Sequence, residues 1–236
     1  MGFLKSQCLK MRHTPIMIII IIFPIAIVSL FSVLAFFAKQ TELQIFRVTS
    51  LQIFFEVVFP LTITLIMGLM FRMERRNRAF QNTVIYFKNF KAYFGQNFMF
   101  HFLIGCLMIL VGYTTHVLLY IVFTQRFDFV TVDYLNHVIL AFIMSLPLIS
   151  FIYLLNFIFQ GIVMPAVISL ILTIGNFFVG IIGVFGSYAY FYSFLVFNLY
   201  NGYNKVILAS ISIVLSCIFL LIGYVKFLKS MEKGVL

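Results

Sequence analysis

The sequence predicts an all-α membrane protein with several transmembrane helices. Of its 236 residues, 64% are hydrophobic and only 9% are charged, which leaves too little polar surface to cover a water-soluble globule. The hydrophobic residues form long runs, and the basic residues collect in the short segments between them. Because a spanning helix uses about 20 apolar residues, the chain can hold roughly six spans and no sizeable soluble domain.

Six apolar runs are each long enough to cross the hydrocarbon core of a bilayer. They cover residues 15–37, 51–71, 98–124, 135–159, 162–182 and 206–225. The fourth and fifth runs are nearly fused, so the region of Gln160 and Gly161 between them predicts a tight hairpin. We therefore expect residues 1–236 to form a single transmembrane domain.

The distribution of basic residues predicts the orientation, because cytoplasmic segments carry the excess of Lys and Arg. With the N-terminus in the cytoplasm, only Lys39, Arg47, Arg126 and Lys205 lie outside. An even number of spans then places both termini in the cytoplasm. The formal charge of +10 is thus explained by topology and anionic lipid headgroups, and not by binding of nucleic acid.

The first thirteen residues predict a short amphipathic elbow helix at the cytoplasmic interface, because Leu4, Cys8 and Met11 share one helical face. A disordered basic lead that only fixes topology is the alternative. The following apolar run is too long for the core of a signal peptide, and no small-residue cleavage site follows it. We therefore expect a retained first span.

The segment of residues 72–96 is the longest predicted cytoplasmic connection. It begins with a charge cluster and continues with Phe80, Val84 and Phe87 at the spacing of one helical face. An aromatic face in the cytoplasm has to be buried somewhere. The lipid interface and the hydrophobic groove of a soluble partner are the two alternatives.

Four polar side chains inside or between the predicted spans are candidates for a transport pathway or for hydrogen bonds between helices. They are Glu56, Asn156, Gln160 and Asn176. Glu56 lies about one turn inside the outer end of the second span, so we expect it to reach water or to pair with Arg47. The amides more commonly hold helices together.

Between the fifth and sixth runs, residues 183–205 are dense in Tyr and Phe but carry almost no charge. Tyrosine favours the membrane–water interface, where its ring is buried and its hydroxyl is hydrated. We expect one or two short helices, or a re-entrant hairpin, at the outer surface. A pair of half-spans or an extended fifth helix is the alternative.

Signatures of catalysis are missing from the sequence. It contains no G-x-x-x-x-G-K-[ST] phosphate loop, no H-E-x-x-H, no G-x-S-x-G and no paired intramembrane carboxylates. The three cysteines are far apart, and His101, His116 and His137 are scattered. We therefore expect no enzyme activity, no bound cofactor and no metal site, and the sparse intramembrane charge argues against proton- or sodium-driven transport.

This layout resembles the membrane subunits of type-2 ATP-binding-cassette exporters, and among them the small permeases of lantibiotic-immunity transporters. The local motif is Glu74 followed by the run R-A-F-Q-N at residues 78–82, which is similar to the acid and F-Q-N run found where the second span of such permeases leaves the membrane. One departure is Gln96, where members of the family often carry Lys or Arg.

The resemblance implies a permease subunit in a bacterial plasma membrane that pairs with a second permease subunit, identical or homologous. Two copies of a soluble ATPase would carry ATP and Mg²⁺, and this chain would bind no cofactor. The resemblance assigns the contact with the ATPase to residues of the 72–96 segment. These are Glu74, Arg75, Arg76, Arg78, Phe80, Gln81, Asn82, Val84 and Phe87.

For lantibiotic immunity, the resemblance implies export of a cationic, amphipathic peptide from the membrane. Contact with this peptide or with lipid is then expected in the tyrosine-rich outer stretch, at Tyr188, Tyr190, Tyr192 and Tyr200. Two alternatives stay open. The permease could export another lipophilic compound such as a drug, lipid or polymer precursor, or the chain could be a non-transporting immunity or scaffold protein.

Overall fold

A computed structural model describes residues 14–40, 42–76, 90–126, 132–159, 161–182, 188–200 and 202–232, together with Gln7 and Met11. These residues are almost entirely helical, and no strand occurs among them. The predicted all-α class is therefore confirmed. The helices are α1 (Ile16–Phe37), α2 (Leu43–Ile53), α3 (Phe59–Arg76), α4 (Phe90–Thr124), α5 (Val132–Ile158), α6 (Val163–Ile182), α7 (Phe194–Phe197) and α8 (Lys205–Glu232).

Five helical stretches are long and apolar enough to cross a membrane: Ile16–Phe37, Leu43–Arg75, Phe90–Thr124, Tyr134–Ile158 and Lys205–Met231. The chain is therefore a protein with several potential membrane spans. The predicted run 162–182 forms α6, whose apolar part, Val163–Val179, is shorter than these five. The structure alone thus gives five long apolar helices, where the sequence predicts six spans.

The helices around the second and third spans extend well beyond the predicted apolar runs. The second stretch begins at Leu43 and not near residue 51, and α4 begins at Phe90 and not near residue 98. Both extensions contain polar residues that become buried, such as Arg47 in α2 and Asn97 in α4. Hydropathy marks polar residues as boundaries, whereas the helices continue because these side chains find hydrogen-bond partners inside the protein.

The hydrophobic core lies where α3, α4 and α5 meet. Aromatic rings fill it, and the Phe71, Tyr153 and Phe157 rings contact one another with centroid distances of 5.6, 5.1 and 4.9 Å. Helix α8 packs along α5, α1 packs against α2 and α4, and α6 packs against α3. Large aliphatic side chains on α1 and α8 remain exposed, as expected for helices with a lipid-facing side.

A π-helical segment, Phe54–Val58, joins α2 to α3 within one continuous helix. Pro60 lies two residues after this segment and has no backbone N–H, so it cannot donate an i→i−4 hydrogen bond to the Glu56 carbonyl. Such local changes of helical register are common next to proline and are frequent at functional sites. Here the Asn176 side chain of α6 donates to the Glu56 carbonyl at 2.9 Å.

The described part of the tyrosine-rich stretch packs into the helix bundle. It contains a 3₁₀ turn, Phe191–Ser193, followed by the four-residue helix α7. Tyr192 and Phe194 are 0% exposed. Among the described residues, the predicted short helices between the fifth and sixth runs are represented by α7 and this turn, and their side chains pack into the core.

The predicted elbow helix of residues 1–13 lies mostly outside the described residues. Its two described members, Gln7 and Met11, are both buried, and Met11 belongs to the main hydrophobic core. The N-terminal segment thus contacts the helix bundle at these two positions.

Candidate functional site

Glu56, Asn176 and Tyr200, which the sequence analysis assigned to two different roles, meet around one cavity. This cavity, called the Glu56 cavity below, has a volume of about 370 Å³. Its polar lining residues are Gln52, Glu56, Asn176, Ser193, Tyr200 and Tyr203, and its apolar walls include Phe177 and Phe197.

Three elements build the Glu56 cavity. Helix α2 and the π-helical segment supply Gln52 and Glu56, which are four residues apart and lie on the same helical face. Helix α6 supplies Asn176. The segment containing α7 closes the remaining side, and Tyr200 follows this helix directly.

Hydrogen bonds order the polar wall of the cavity. The Tyr200 hydroxyl donates to Gln52 Oε1 at 3.2 Å, and Gln52 Nε2 donates to Glu56 Oε2 at 3.3 Å. The Gln52 side-chain amide therefore uses both its oxygen and its nitrogen, and it bridges the Tyr200 hydroxyl and the Glu56 carboxylate. The sequence analysis expected Glu56 to reach water or to pair with Arg47, but the residue is only 6% exposed and its hydrogen-bond partner is Gln52.

Two acceptor groups of the Glu56 cavity retain capacity for a donor. Gln52 bonds to Oε2 of Glu56, and no hydrogen-bond donor among the described residues reaches Oε1. Asn176 is 6% exposed, and its Oδ1 atom is buried without a hydrogen-bond partner in the same part of the chain. A carboxylate alone offers about four lone-pair sites, so this wall can accept several further hydrogen bonds.

The other three predicted contact tyrosines fasten the tyrosine-rich stretch to its neighbours. Tyr190 donates to the carbonyl of Leu172 and Tyr192 donates to Ser169 Oγ at 3.2 Å, both in α6. Tyr188 accepts a hydrogen bond from the backbone N–H of Asn204 at 2.9 Å. Burial raises the pKa of Tyr190, Tyr192 and Tyr200 above the ordinary value, so these hydroxyls stay neutral and act as donors at physiological pH.

At the opposite end of the second span, Glu74 is buried and bonded within the chain. It is 4% exposed, and it accepts hydrogen bonds from Gln7 Nε2 at 2.8 Å and from the Tyr93 hydroxyl at 3.2 Å. Asn97 Nδ2 in turn donates to the Tyr93 hydroxyl at 3.3 Å. The carboxylate therefore links α3 to the N-terminal segment and to α4.

Arg75, the next residue, binds the end of α5. Its guanidinium donates to the carbonyl of Phe159 at 3.1 Å and to the carbonyl of Asn156. Both carbonyls lie at the C-terminal end of this helix, where cations are favoured because the last carbonyls have no helical partners. The Asn156 side-chain nitrogen donates to the Ile152 carbonyl of its own helix at 2.9 Å, so this nitrogen already has a hydrogen-bond partner within the helix.

The remaining candidates for contact with an ATPase fall outside the described residues. They are Arg78, Phe80, Gln81, Asn82, Val84 and Phe87, together with the side chain of Arg76. Gln160, a candidate for the pathway, is also outside. These assignments stay predictions.

A group of hydrogen bonds near the Glu56 cavity was not predicted from the sequence. We call it the clasp, and it joins His137 to Asn198 and Arg47 to Leu199. His137 Nδ1 donates to the Asn198 carbonyl at 2.9 Å, and Asn198 Nδ2 donates to the His137 carbonyl at 2.7 Å. Arg47 donates to the carbonyl of Leu199, 3.5 Å away. A histidine and an arginine within apolar helices were the available signal, but their partners are distant in sequence and no spacing rule could identify them.

Among the described residues, no three His, Cys, Asp or Glu side chains lie close enough together to hold a metal ion. The chain matches no protein-family model, and no curated protein or solved structure is significantly similar to it. The features that bear on function are the long apolar helices, the Glu56 cavity, and the bonded carboxylate and guanidinium at the C-terminal end of α3.

Proposed function

We propose that this chain is the membrane permease subunit of an ATP-driven exporter of the ATP-binding-cassette type, with ATP hydrolysis performed by a separate soluble subunit. The observation that carries the proposal is the attachment of Glu74 and Arg75, which stand just before the basic connection between α3 and α4. Through these two residues the start of this connection is tied to three other parts of the bundle.

This attachment suits a subunit that receives mechanical work. A soluble ATPase that moved residues 77–89 would pull on Glu74 and Arg75, and their hydrogen bonds would pass the displacement to the N-terminal segment, α4 and α5. Packed helices respond to such a displacement as rigid bodies. Under this proposal, Glu74 and Arg75 transmit the movement, while Arg76, Arg78, Phe80, Gln81, Asn82, Val84 and Phe87 supply the contact with the ATPase.

The proposed topology has six spans in a bacterial plasma membrane, with both termini in the cytoplasm and residues 1–13 as an interfacial elbow. Helix α6 has 20 residues, which at 1.5 Å per residue extends for about 30 Å, the thickness of the hydrocarbon core. With the N-terminus in the cytoplasm, the second span runs inwards, so under this proposal the basic 72–96 segment is cytoplasmic and the Glu56 cavity lies towards the outer surface. Counting α6 as a span returns the C-terminus to the cytoplasm.

The proposed complex contains two permease subunits, identical or homologous, and two ATPase subunits that bind ATP and Mg²⁺. The proposed substrate is an amphipathic bacteriocin of the lantibiotic class, expelled from the membrane so that the producing cell is protected. Export of another lipophilic compound is the second candidate, because the bundle has a partly polar cavity beside exposed aromatic side chains.

Purification of the tagged chain together with the ATPase encoded by an adjacent reading frame tests the proposed partnership. We expect the two proteins to copurify and the ATPase activity to rise in the complex. Arg76→Glu combined with Arg78→Glu should abolish this stimulation while membrane insertion stays normal. Arg126→Glu, an exposed change in the connection between α4 and α5, is the matched control and should have no effect. Unchanged stimulation in the double variant would overturn the assignment of the contact.

A tolerance assay in a sensitive host separates the candidate functions. The chain and its ATPase are expressed together, and the cells are challenged with lantibiotics and with lipophilic drugs. Protection against a lantibiotic that is lost with a catalytically dead ATPase supports peptide export. Full protection with the dead ATPase would instead identify a non-transporting immunity protein.

A further inference from the structure

We propose that the Glu56 cavity binds the primary ammonium group of an amphipathic amine, with the apolar tail of the ligand lying along α6. This site is independent of the ATPase partnership, because it is built entirely from residues of this chain. The proposal follows from the charge of the cavity, the arrangement of its acceptors and the character of its mouth.

The charge of the cavity favours a cation. Glu56 is the one carboxylate among the described lining residues, and it is held at 6% exposure inside an apolar helix bundle. A carboxylate in such a position is costly unless it is paired and hydrogen-bonded. The neighbouring cations Arg47 and Lys205 contact the Leu199 carbonyl and His137 respectively, so both are engaged in holding the clasp.

The acceptors of the cavity select a group that donates several hydrogen bonds. Glu56 Oε1 and Asn176 Oδ1 both lack a donor from the described residues, and both residues line the same cavity. A primary ammonium has three N–H donors on one compact charge, so it can bond to Glu56 Oε1 and to other oxygens of the polar lining. A quaternary ammonium carries the same charge but donates no hydrogen bond.

The mouth of the cavity suits an amphipathic ligand. Phe177 lines it and is 53% exposed, while Phe178 and Ile174 on the same helix are 58% and 49% exposed. These side chains offer an apolar path that leads to the carboxylate from the side of the bundle. Aromatic rings in the cavity, such as those of Phe197 and Tyr200, add favourable contacts with a cation. The volume of about 370 Å³ accommodates the ammonium head and the first part of its chain.

Binding can be measured on the chain alone in phosphatidylcholine nanodiscs. The sequence contains no Trp, so Phe177→Trp places a single fluorescent reporter at the mouth of the cavity. Octylammonium at pH 7 should change its emission saturably, and octyltrimethylammonium should bind at least about tenfold more weakly. Titration calorimetry with the unsubstituted chain repeats the comparison without the reporter. Equal affinity for the two amphiphiles would overturn the proposal.

Glu56→Gln provides the second test, because it removes the charge and keeps the shape of the side chain. We expect the Kd for octylammonium to rise at least about tenfold. Glu42→Gln is the matched control, since Glu42 is an exposed carboxylate immediately before α2, and it should leave the Kd unchanged. An unchanged Kd in Glu56→Gln would contradict the site. The ligand comparison on the unsubstituted chain keeps the proposal testable if Glu56→Gln does not fold.

The same chemistry occurs in a lipid headgroup, and a third arm distinguishes this source. Phosphatidylethanolamine carries a primary ammonium, so nanodiscs containing it should weaken the apparent affinity for octylammonium if the headgroup enters the cavity. An unchanged affinity would assign the site to freely diffusing amphipathic amines. Since no ATPase is present, the result is separate from any failure of the proposed transport complex.

Discussion

At the scale of single residues, Pro60 has consequences that reach α6. Its missing N–H cannot serve the Glu56 carbonyl as a helical donor, and Asn176 Nδ2 fills this need from a different helix. The π-helical segment and the hydrogen bond from Asn176 therefore involve the same backbone carbonyl, that of Glu56. The sequence drew attention to Glu56 and Asn176 as polar residues in apolar runs, but it could not show that one bonds to the backbone of the other.

We predict that Asn176→Leu destabilises the protein by about 1 kcal/mol, the scale of a hydrogen bond between membrane helices. The residue is buried, and Leu has the same branching and the same number of side-chain heavy atoms but no donor. Pro60→Ala restores a backbone N–H at the position that can serve the Glu56 carbonyl, so the cost of Asn176→Leu should be smaller in a Pro60→Ala background. Unfolding in mixed detergent micelles measures all three variants. An equal cost in both backgrounds would contradict this account of the bond.

Glu74 and Arg75 illustrate a different limit of prediction at this scale. The sequence placed both in a charged cluster, and the family resemblance assigned this cluster to contact with an ATPase. Glu74 instead accepts a hydrogen bond from Gln7, which is 67 positions away, and Arg75 bonds to carbonyls at the end of α5. Contacts between such distant positions leave no periodic signal in the sequence.

At the scale of elements, α4 packs closely against two neighbours through glycine. A Cβ atom at Gly112 would lie 2.9 Å from Cε1 of Phe54, and one at Gly105 would lie 2.6 Å from Cδ1 of Ile149. The Phe54 ring is fully buried beside Phe55, so it has little room to withdraw. Small residues allow membrane helices to approach closely, and Gly112 does so where α4 crosses the π-helical segment.

We predict that Gly112→Ala destabilises the protein by about 1–3 kcal/mol, the usual cost of overpacking, less a gain in helix propensity of up to about 1 kcal/mol. Gly95→Ala in the same helix is the matched control, because a Cβ there meets nothing within 4 Å. It should be neutral or slightly stabilising. Thermal unfolding of the two variants in detergent measures the difference, and equal stabilities would show that Phe54 moves aside without cost.

The elements could largely be predicted from the sequence, since each of the six apolar runs contains a helix. Their ends could not, because the ends depend on which polar residues find partners. Helix α4 starts at Phe90 and carries Tyr93 and Asn97 into the hydrogen bonds around Glu74. Hydropathy treats these positions as unfavourable to a span. The packing of the tyrosine-rich stretch was equally hidden, because composition alone suggested an interfacial surface.

At the scale of the whole molecule, two polar centres lie on either side of α3, one just before the helix begins and the other at its C-terminal end. One is the Glu56 cavity, and the other is the pair formed by Glu74 and Arg75. Helix α3 connects them, so under the proposed function a displacement of the charged end would reach the cavity through this helix. This arrangement suits a transporter better than a passive scaffold, which would require no connection between a binding cavity and a distant basic segment.

Whether α6 crosses the membrane decides between six and five spans, and single cysteines can answer the question. Gly161 and Gly202 lie on either side of α6 and its following segment, and a Cβ at either position meets nothing within 4 Å. In a background lacking Cys8, Cys106 and Cys217, six spans predict that Gly202→Cys reacts with a membrane-impermeant maleimide on intact cells. Gly161→Cys should react only after permeabilisation.

Five spans would leave both Gly161 and Gly202 on the cytoplasmic side, because the chain would not cross the membrane between them. Arg126→Cys serves as the positive control, since the basic-residue distribution places Arg126 outside in either case. Labelling of Gly202→Cys on intact cells therefore supports six spans and an outward position for the Glu56 cavity. Protection of Gly202→Cys alongside labelled Arg126→Cys would contradict the six-span topology.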